Sequence, residues 1–195
     1  MTPLATAAAP ILQAAQLAAE NGPALLAIDG RCGSGKSTLA EFLAGQLGCR
    51  VVYTDDFYLP LAARCANWQE QPGANMDFIR LRNEVLQPLL RGETALYNAY
   101  SCAAGAFLPS KPFAAAPLTI LEGSYSLHPA LQTDFAVRVF VTCPPDVQAE
   151  RLRAREGIRY ANFVQRWIPL EEGYFAAHDP AARCNFVLDT AEIFV

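Results

Sequence analysis

The segment from Ala24 to Leu47 constrains the fold of this chain more than any other part of the sequence. A short apolar run, Ala24–Asp29, is followed by the glycine-rich stretch GRCGSGKS, which covers residues 30–37, and then by an amphipathic stretch ending at Leu47. An apolar run of this length is typical of a strand buried on both faces of a parallel sheet. The glycine-rich stretch matches G-x-x-x-x-G-K-[ST] at every fixed position. The sequence therefore predicts a strand, a phosphate-binding loop and a helix, which together open an α/β domain.

The predicted loop has the chemistry of a nucleotide phosphate site. Glycines let backbone N–H groups curl around a phosphate without Cβ clashes, and the following helix presents its positive N-terminal end. Lys36 supplies a charge for the β- and γ-phosphates of ATP, and the Ser37 hydroxyl is a ligand for Mg²⁺. We therefore predict ATP and Mg²⁺ as cofactors. The residues assigned to the phosphates are Gly30, Arg31, Cys32, Gly33, Ser34, Gly35, Lys36, Ser37 and Thr38.

The rest of the chain alternates apolar runs with helical patterns. Further strands are predicted at Arg50–Thr54, Leu118–Gly123, Phe135–Thr142 and Asn185–Thr190, and a β-hairpin at Ala95–Ser101 and Gly105–Pro109. Helices are predicted from Pro10 to Glu20, from Asp77 to Leu90, from Pro145 to Glu156, and from Asn162 to Ala177 with a break at Pro169. This alternation predicts a parallel sheet covered by helices on both faces, and we expect residues 1–195 to form one domain. Residues 60–116 are long for a single crossover and are expected to carry an inserted acceptor-binding piece.

Composition and charge exclude several classes of protein. The formal net charge is −4, with 13 Arg but only two Lys, Lys36 and Lys111, which argues against a nucleic-acid partner. None of the six cysteines forms a C-x-x-C pair or a zinc-ligand spacing, so we expect reduced thiols. A positive segment before an apolar one is missing at the N-terminus, and no run of 18 apolar residues exists for a membrane span. We therefore expect a soluble cytoplasmic protein with no membrane partner.

Two more features fit a phosphate site. Glu122 comes at the end of the apolar run Thr119–Leu121, and ligands in parallel α/β sheets bind at the carboxyl ends of the strands. Its carboxylate can therefore reach the Mg²⁺ shell. Arg151, Arg155 and Arg159 recur every four residues on one helical face, and guanidinium groups can stabilise the charge of phosphoryl transfer. Solvated arginines paired with Glu150 and Glu156 are the structural alternative.

Taken in order, these motifs resemble the uridine kinase and phosphoribulokinase group of P-loop kinases, and pantothenate kinases are also similar. The resemblance rests on the glycine-rich loop, on TDDFY after the second strand, on ILEG after the third and on the arginine-rich helix, and it spans about Ala24 to Thr190. It implies the three-layer αβα P-loop fold with a five-stranded parallel sheet and a small substrate-binding hairpin and helix. It also implies that residues 145–160 form a lid. The implied activity is ATP-dependent phosphorylation of a small-molecule hydroxyl.

The same resemblance implies roles for individual residues. Asp55 would take the proton of the acceptor hydroxyl, or contact the metal through water, while Lys36, Arg151 and Arg155 complete the catalytic set. The metal would be held by Ser37, Glu122 and Asp55. Asp56 is left between a metal-shell water and a hydrogen-bonded turn. The residues expected to bind the acceptor are Tyr58, Asp77, Tyr100 (with Tyr97 as the second choice) and Arg159.

One departure leaves the acceptor open. Uridine kinases follow the hairpin tyrosine with Asp and a His that reads the pyrimidine, whereas here Tyr100 is followed by SCAAG, with neither residue. A nucleoside kinase is the first hypothesis, and pantothenate, sugar or nucleoside-monophosphate kinases are alternatives. Cations for a monophosphate are available at Arg64, Arg80 and Arg82. An ATP-binding regulatory protein is the hypothesis from a different class, and a homo-oligomer stays open.

Overall fold

The computed structural model describes residues 2–194 and contains a central parallel sheet flanked by helices. The strands are β1 (Ala24–Gly30), β2 (Arg50–Tyr53), β3 (Ala95–Tyr97), β4 (Tyr100–Ser101), β5 (Ala106–Phe107), β6 (Lys111–Phe113), β7 (Leu118–Glu122), β8 (Val137–Thr142) and β9 (Phe186–Asp189). The α-helical segments are α1 (Pro3–Ala19), α2 (Lys36–Leu47), α3 (Phe78–Arg80), α4 (Gln87–Leu90), α5 (Pro145–Glu156), α6 (Tyr160–Asn162) and α7 (Ile168–His178).

The central sheet has five strands in the order β2-β7-β1-β8-β9, and every neighbouring pair is parallel. β1 is buried along all seven residues, as its continuous apolar sequence predicts. Because the strands are parallel, their carboxyl ends share one edge of the sheet. This edge carries the glycine-rich loop after β1, Asp55 shortly after β2, and Glu122 at the end of β7. The predicted three-layer α/β fold is confirmed.

Two hydrophobic cores separate the layers, and β1 contributes alternate residues to each. Leu26 and Ile28 pack with α1 and α2 on one face. Leu25 and Ala27 belong to the core on the other face, which includes residues of the 78–90 helix and Tyr174 of α7. This alternation follows from the two-residue period of a strand. The core on the second face also includes Phe57 from the turn after β2 and Ala95 of β3.

The segment between β2 and β7 contains a helix and two small sheets. α3, a π-helical stretch at Leu81–Leu86 and α4 form the helix from residue 78 to residue 90. β4 pairs antiparallel with β5 within the predicted hairpin, whereas β3 pairs antiparallel with β6, which lies beyond the predicted second strand. Neither small sheet is hydrogen-bonded to the central sheet as an added strand.

Two prolines behave differently from the sequence prediction. α1 begins at Pro3 after a Thr2 cap and continues through Pro10, which was expected to open the helix. Pro10 leaves the carbonyl four residues earlier without its usual donor, but one missing bond does not end a helix packed against the sheet. Pro169 does not break its helix either, because a π-helical stretch at Phe163–Trp167 precedes it and changes the hydrogen-bonding step. Within residues 2–194, no helix combines the length and hydropathy needed to cross a membrane.

Candidate active site

A cleft of about 1080 Å³ opens at the carboxyl edge of the central sheet. Its walls bring together the glycine-rich loop, the turn after β2, the end of β7 and the arginine-bearing face of α5. The predicted site residues that line it are Cys32, Gly33, Gly35, Lys36, Ser37, Thr38, Asp55, Asp56, Tyr58, Glu122, Arg151, Arg155 and Arg159. Segments that are far apart in the chain therefore meet in one concave site.

The conformation of the loop requires glycine. Gly30 has φ of 136°, and a Cβ there would collide with the backbone of Val141 in β8. Gly35 has φ of 92° and caps α2, so the helix N-terminus opens directly into the cleft. The Lys36 ammonium donates to the Gly30 carbonyl at 2.9 Å and to the Arg31 carbonyl at 2.8 Å. No carboxylate within residues 2–194 forms an ion pair with Lys36, so its positive charge is available to an anion in the loop.

Ser37 and Glu122 form a pair of oxygen donors beside this loop. The Ser37 hydroxyl donates to Glu122 Oε1 at 3.3 Å, which joins the start of α2 to the end of β7. Burial raises the pKa of Glu122, with Lys36 acting in the opposite direction and Asp55 raising it further. The next residue, Gly123, has φ of 136°, and a Cβ there would strike the Thr54 side chain. This close approach fixes the strand end carrying Glu122 against the turn carrying Asp55.

The two adjacent carboxylates after β2, Asp55 and Asp56, have different surroundings. Asp55 is exposed in the cleft, at the start of a short 3₁₀ turn. Asp56 accepts a hydrogen bond of 3.0 Å from the Tyr97 hydroxyl of β3. Burial raises the pKa of Asp56, and the nearby Asp55 charge adds to this increase. Tyr58 is placed beside Asp55, and burial followed by that carboxylate raises the pKa of its hydroxyl. Asp56 is thus part of a hydrogen-bonded turn, which was one of its two predicted roles.

The three arginines of the predicted lid line the cleft with different degrees of restraint. Arg151 donates two hydrogen bonds to Thr190, at 2.9 and 2.8 Å, and its guanidinium lies over the Phe194 ring. Arg155 and Arg159 both pair with Glu156, and their side chains are 55% and 71% exposed. Arg151 is therefore held by the chain segment after β9, whereas the other two guanidinium groups can rotate toward a ligand.

Some predicted site residues lie outside the cleft lining. The Asp77 carboxylate accepts from the Arg80 backbone N–H at 3.0 Å and caps the 78–90 helix. Tyr100 packs edge-on against Phe107 within the hairpin, and Tyr97 is the hairpin tyrosine that reaches the site turn. The sequence placed Tyr100 ahead of Tyr97, but spacing along a chain does not fix which way a side chain of a short strand faces. Within the loop, Gly30, Arg31 and Ser34 support its shape rather than line the cleft.

A buried carboxylate beneath the loop was missed by the sequence analysis. Asp29 is fully buried and accepts from the Gly30, Tyr125 and Leu127 backbone N–H groups and from the Tyr174 hydroxyl. Burial is the main cause of the raised pKa of Asp29. Tyr125 has φ of 70°, an uncommon value outside glycine, and these bonds hold it there. The sequence signal was a single Asp at the end of an otherwise apolar strand.

Two polar residues that the sequence did not single out also reach the loop, one from the predicted lid and one from α7. Glu171 of α7 is 3% exposed and accepts from the Cys32 backbone N–H at 2.6 Å. Gln148 of α5 is also 3% exposed and donates to the Cys32 carbonyl at 2.9 Å. Burial raises the pKa of Glu171 to about 7, although Lys36 and the Cys32 N–H oppose the shift. Neither residue belongs to a recognisable motif.

The strand order and the loop geometry together define the class: the chain has the fold of the uridine kinase-like P-loop kinases. A possible uridine kinase from Bacillus stearothermophilus has a TM-score of 0.67 at 19% identity, over 92% of this chain and 100% of that one. A candidate fructose transport system kinase from Silicibacter sp. TM1040 also has a TM-score of 0.67, at 20% identity, over 96% of this chain and 99% of that one.

A curated protein is also similar to this chain in sequence. A cytidylate kinase from Azorhizobium caulinodans is 31% identical over 137 residues, which is 65% of this chain and 66% of that relative. The match therefore spans just under two thirds of the relative's length. No protein-family model matches the sequence.

Proposed function

We propose that this protein is an ATP-dependent kinase that phosphorylates a hydroxyl of an uncharged small molecule, with a nucleoside as the first candidate. The observation that carries the proposal is the single cleft that holds Lys36, Asp55, Glu122 and Arg155. A phosphate loop, an exposed carboxylate, a metal-type oxygen pair and mobile cations are the parts that phosphoryl transfer needs. We further propose that residues 1–195 act as one domain in the cytoplasm, where the six free cysteines would stay reduced.

The residues present fit Mg²⁺ and the phosphates of ATP. Mg²⁺ is usually held by one or two protein oxygens together with substrate phosphates and water. Ser37 and Glu122 offer such oxygens next to the uncompensated Lys36 charge. No group of three or more His, Cys, Asp or Glu in the part of the chain that the structure describes forms a metal site of its own. A metal that arrives with the nucleotide therefore suits this site, and it would neutralise charge on the phosphates.

The side chains around this position divide the remaining work. Lys36 and the N-terminus of α2 bind phosphate oxygens. Arg155 turns from Glu156 toward the transferring group and balances its charge. Asp55 orients the acceptor hydroxyl and accepts its proton, and the hydroxyl of Tyr58 beside it frames the acceptor. Because phosphoryl transfer asks for little covalent chemistry from the protein, positioning and electrostatics supply most of the rate.

The acceptor side of the cleft favours an uncharged molecule. Its lining includes Asp55, Asp56, Tyr58, Cys102, Tyr125 and Trp167. The three arginines considered for a monophosphate are engaged elsewhere, and none of them lines the cleft. Arg64 donates to the Leu59 carbonyl and lies over Trp68, while Arg80 pairs with Glu84. The carboxylates of Asp55 and Asp56 would repel an acceptor phosphate, and an aromatic wall suits a planar or sugar-like neutral group.

A nucleoside monophosphate is the second candidate acceptor. It is favoured by the relative described as a cytidylate kinase and by Arg159, which is exposed and lines the cleft. Pantothenate and sugars remain alternatives within the same reaction class. A regulatory ATP-binding protein would not need an exposed carboxylate facing the phosphate loop, so the position of Asp55 speaks against it.

One panel of acceptors tests the proposal. The protein is incubated with Mg·ATP and, separately, with uridine, cytidine, purine nucleosides, hexoses, pantothenate, CMP and UMP, and products are identified by mass. We expect a phosphorylated nucleoside, and no product from the monophosphates. Asp55→Asn run in parallel shows whether a weak product depends on this site.

The outcomes separate the candidates. Turnover of CMP or UMP alone would overturn the uncharged acceptor but keep the kinase. Tight ATP binding with no product from any acceptor would overturn the kinase and favour a regulatory role. Turnover of pantothenate or a hexose alone would keep the reaction and replace the nucleoside.

A further inference from the structure

A polar triangle with two buried corners lies at the phosphate loop, and its side chains take no part in the mechanism above. Its corners are Cys32 in the loop, Gln148 on α5 and Glu171 on α7. Glu171 accepts from the Cys32 N–H at 2.6 Å, and the Gln148 amide donates both to the Cys32 carbonyl at 2.9 Å and to Glu171 Oε1 at 3.3 Å. Gln148 and Glu171 are each 3% exposed, so water does not compete freely for these bonds.

The triangle connects α5 of the predicted lid, and α7 beyond it, to one loop residue. α5 carries the cleft arginines Arg151 and Arg155, and the helical segment from residue 160 to residue 178, which contains α7, follows it after a short turn. Glu172, next to Glu171, pairs with the Arg31 guanidinium, so α7 contacts two successive loop residues. A shift of the loop backbone at Cys32 would therefore move the bonding partners of α5 and α7 together.

Burial makes Glu171 unusual. Carboxylates are rarely buried unless they are paired or hydrogen-bonded, because removing a charge from water is costly. Glu171 has the Cys32 N–H and the Gln148 amide as its bonding partners, and it lines the cleft. The charged and titratable groups that act on it from the packed elements are Asp29, Arg31, Cys32, Lys36, Tyr125 and Cys143.

We propose that Glu171 is a positioning residue that couples nucleotide binding in the phosphate loop to the lid, with a proton taken up by its carboxylate as polyphosphate binds. The inference rests on the proposed binding of ATP and assigns to Glu171 a role beyond it. Glu171 touches neither the acceptor nor the reacting atoms, and it acts through the Cys32 backbone and Gln148.

The uptake of a proton by Glu171 follows from the balance of charges around the loop. Burial raises the pKa of Glu171 to about 7, and the positive charges of Lys36 and Arg31 hold it below a higher value. Phosphates that occupy the loop bring negative charge close to Glu171 and compensate Lys36. The pKa of Glu171 therefore rises on binding, and protons are taken up wherever the solution pH lies between the free and bound values. Affinity for the nucleotide must then fall as pH rises above about 7.

Calorimetry of Mg·ATP binding in two buffers of different ionisation enthalpy measures this uptake directly. A group with a free pKa near 7 can take up at most about half a proton at pH 7, and more at pH 8 if its bound pKa lies above about 8. We expect this uptake in the natural protein and none in Glu171→Gln, which keeps the shape and an acceptor oxygen for the Cys32 N–H. Protons bound to the nucleotide itself are the same in both titrations and cancel in the difference.

Two further variants make the test specific. Glu150→Gln removes an exposed carboxylate of α5 that makes no contact with the loop, and it should leave the uptake unchanged. Gln148→Met removes an amide that donates to the Glu171 carboxylate, so a larger fraction of free Glu171 should be protonated at pH 7 than in the natural protein, and the uptake should shrink. Thermal unfolding of each variant confirms that it is folded before titration.

The possible results separate the two proposals. Equal proton uptake by Glu171→Gln and the natural protein would overturn the inference while leaving ATP binding intact. Failure of the natural protein to bind Mg·ATP would overturn the proposed function, and the inference with it. Loss of uptake in Glu171→Gln alone, with a several-fold change in ATP affinity across pH 7 to 8 that only the natural protein shows, supports the coupling.

Discussion

The proposed nucleotide side and the proposed acceptor side of the cleft are built in different ways. The nucleotide side stands on the ends of β1 and β7, two neighbouring strands of the central sheet, and its residues fall in two short stretches of sequence. The acceptor side draws on the turn after β2, on the hairpin through Tyr97 and Cys102, and on Trp167 from the helical segment after the lid. These pieces meet only after the chain has folded.

The difference teaches which side tolerates change. The shape of the glycine-rich loop depends on positive backbone φ values and on hydrogen bonds to Asp29 and Glu171. Few amino-acid substitutions in the loop would preserve that shape. The acceptor wall is made of aromatic faces, carboxylates and a cysteine, which can be exchanged while the sheet keeps its order. Chemistry common to all phosphoryl transfer is thus fixed by the fold, and selection of the acceptor is left to side chains.

The largest effect is expected when the positive charge of Lys36 is removed from the glycine-rich loop. Lys36→Ala should lower kcat by about 10³-fold, because no other residue supplies a cation at that point of the loop. Steady-state rates with the acceptor identified by the panel measure the loss. Lys111→Ala, which removes the other lysine from an exposed position of β6, should change the rate less than about twofold. A similar loss in both variants would show that the effect is not local to the loop.

Asp55 should separate chemistry from nucleotide binding. Asp55→Asn is expected to lower kcat by roughly 10²-fold or more, because proton transfer by a positioned base contributes about that much. The Kd for Mg·ATP, measured by calorimetry, should stay within about twofold of the natural value. Asp56→Asn is the matched control, because its amide oxygen can still accept from Tyr97. If Asp55→Asn loses ATP affinity as well, its carboxylate serves the metal instead.

Gly123→Ala tests the contact between the end of β7 and the turn after β2, where Gly123 approaches Thr54. The new methyl group would strike Thr54 at a φ of 136°, and we expect a loss of about 2–3 kcal/mol in the free energy of unfolding. Urea unfolding measures the change. Gly45→Ala in α2, where a Cβ meets open space, should instead stabilise the protein by about 0.5–1 kcal/mol. A neutral Gly123→Ala would mean that the Thr54 contact relaxes easily.

The smallest effect is expected within the hairpin. Tyr97→Phe removes the hydrogen bond to Asp56 and should cost about 1 kcal/mol of unfolding free energy. It should also raise the KM for the acceptor, with the KM for ATP unchanged. Tyr100→Phe serves as the control, since its hydroxyl has no hydrogen-bond partner among residues 2–194. An equal effect of both changes would contradict the role of Tyr97 in holding the turn.

Much of the fold could be predicted because its signals are local. Continuous apolar runs identified the five central strands, and the glycine-rich loop identified the start of α2 at Lys36. The helix predictions were wrong at Pro10 and Pro169. Tertiary packing in one case and a π-helical stretch in the other allow the helix to continue despite the missing backbone hydrogen bond. Local preference is a weak guide where packing decides the outcome.

The candidate site could be predicted only where chemistry and backbone geometry share one motif. Lys36, Ser37 and Glu122 were found because each stands at a strand end or helix start whose position the sequence reveals. Glu171 and Asp29 were missed because an isolated acid carries no sign of what will bury it. The Cys32 partner of Glu171 lies 139 residues away, and the Tyr174 partner of Asp29 lies 145 residues away. Contacts over such separations are set by the whole fold.

The two small antiparallel sheets have a consequence for how new kinases of this kind could arise. β3–β6 and β4–β5 share no ladder with the central sheet, and the link to the catalytic turn includes the Tyr97–Asp56 bond. Because no strand ladder joins it to the central sheet, we expect this segment to be exchangeable as a unit if the buried Ala95 and Phe113 are kept. Chimaeras that transplant residues 95–113 between relatives, with Tyr97 and Asp56 kept as the docking pair, should inherit the acceptor preference of the donor and the ATP chemistry of the recipient.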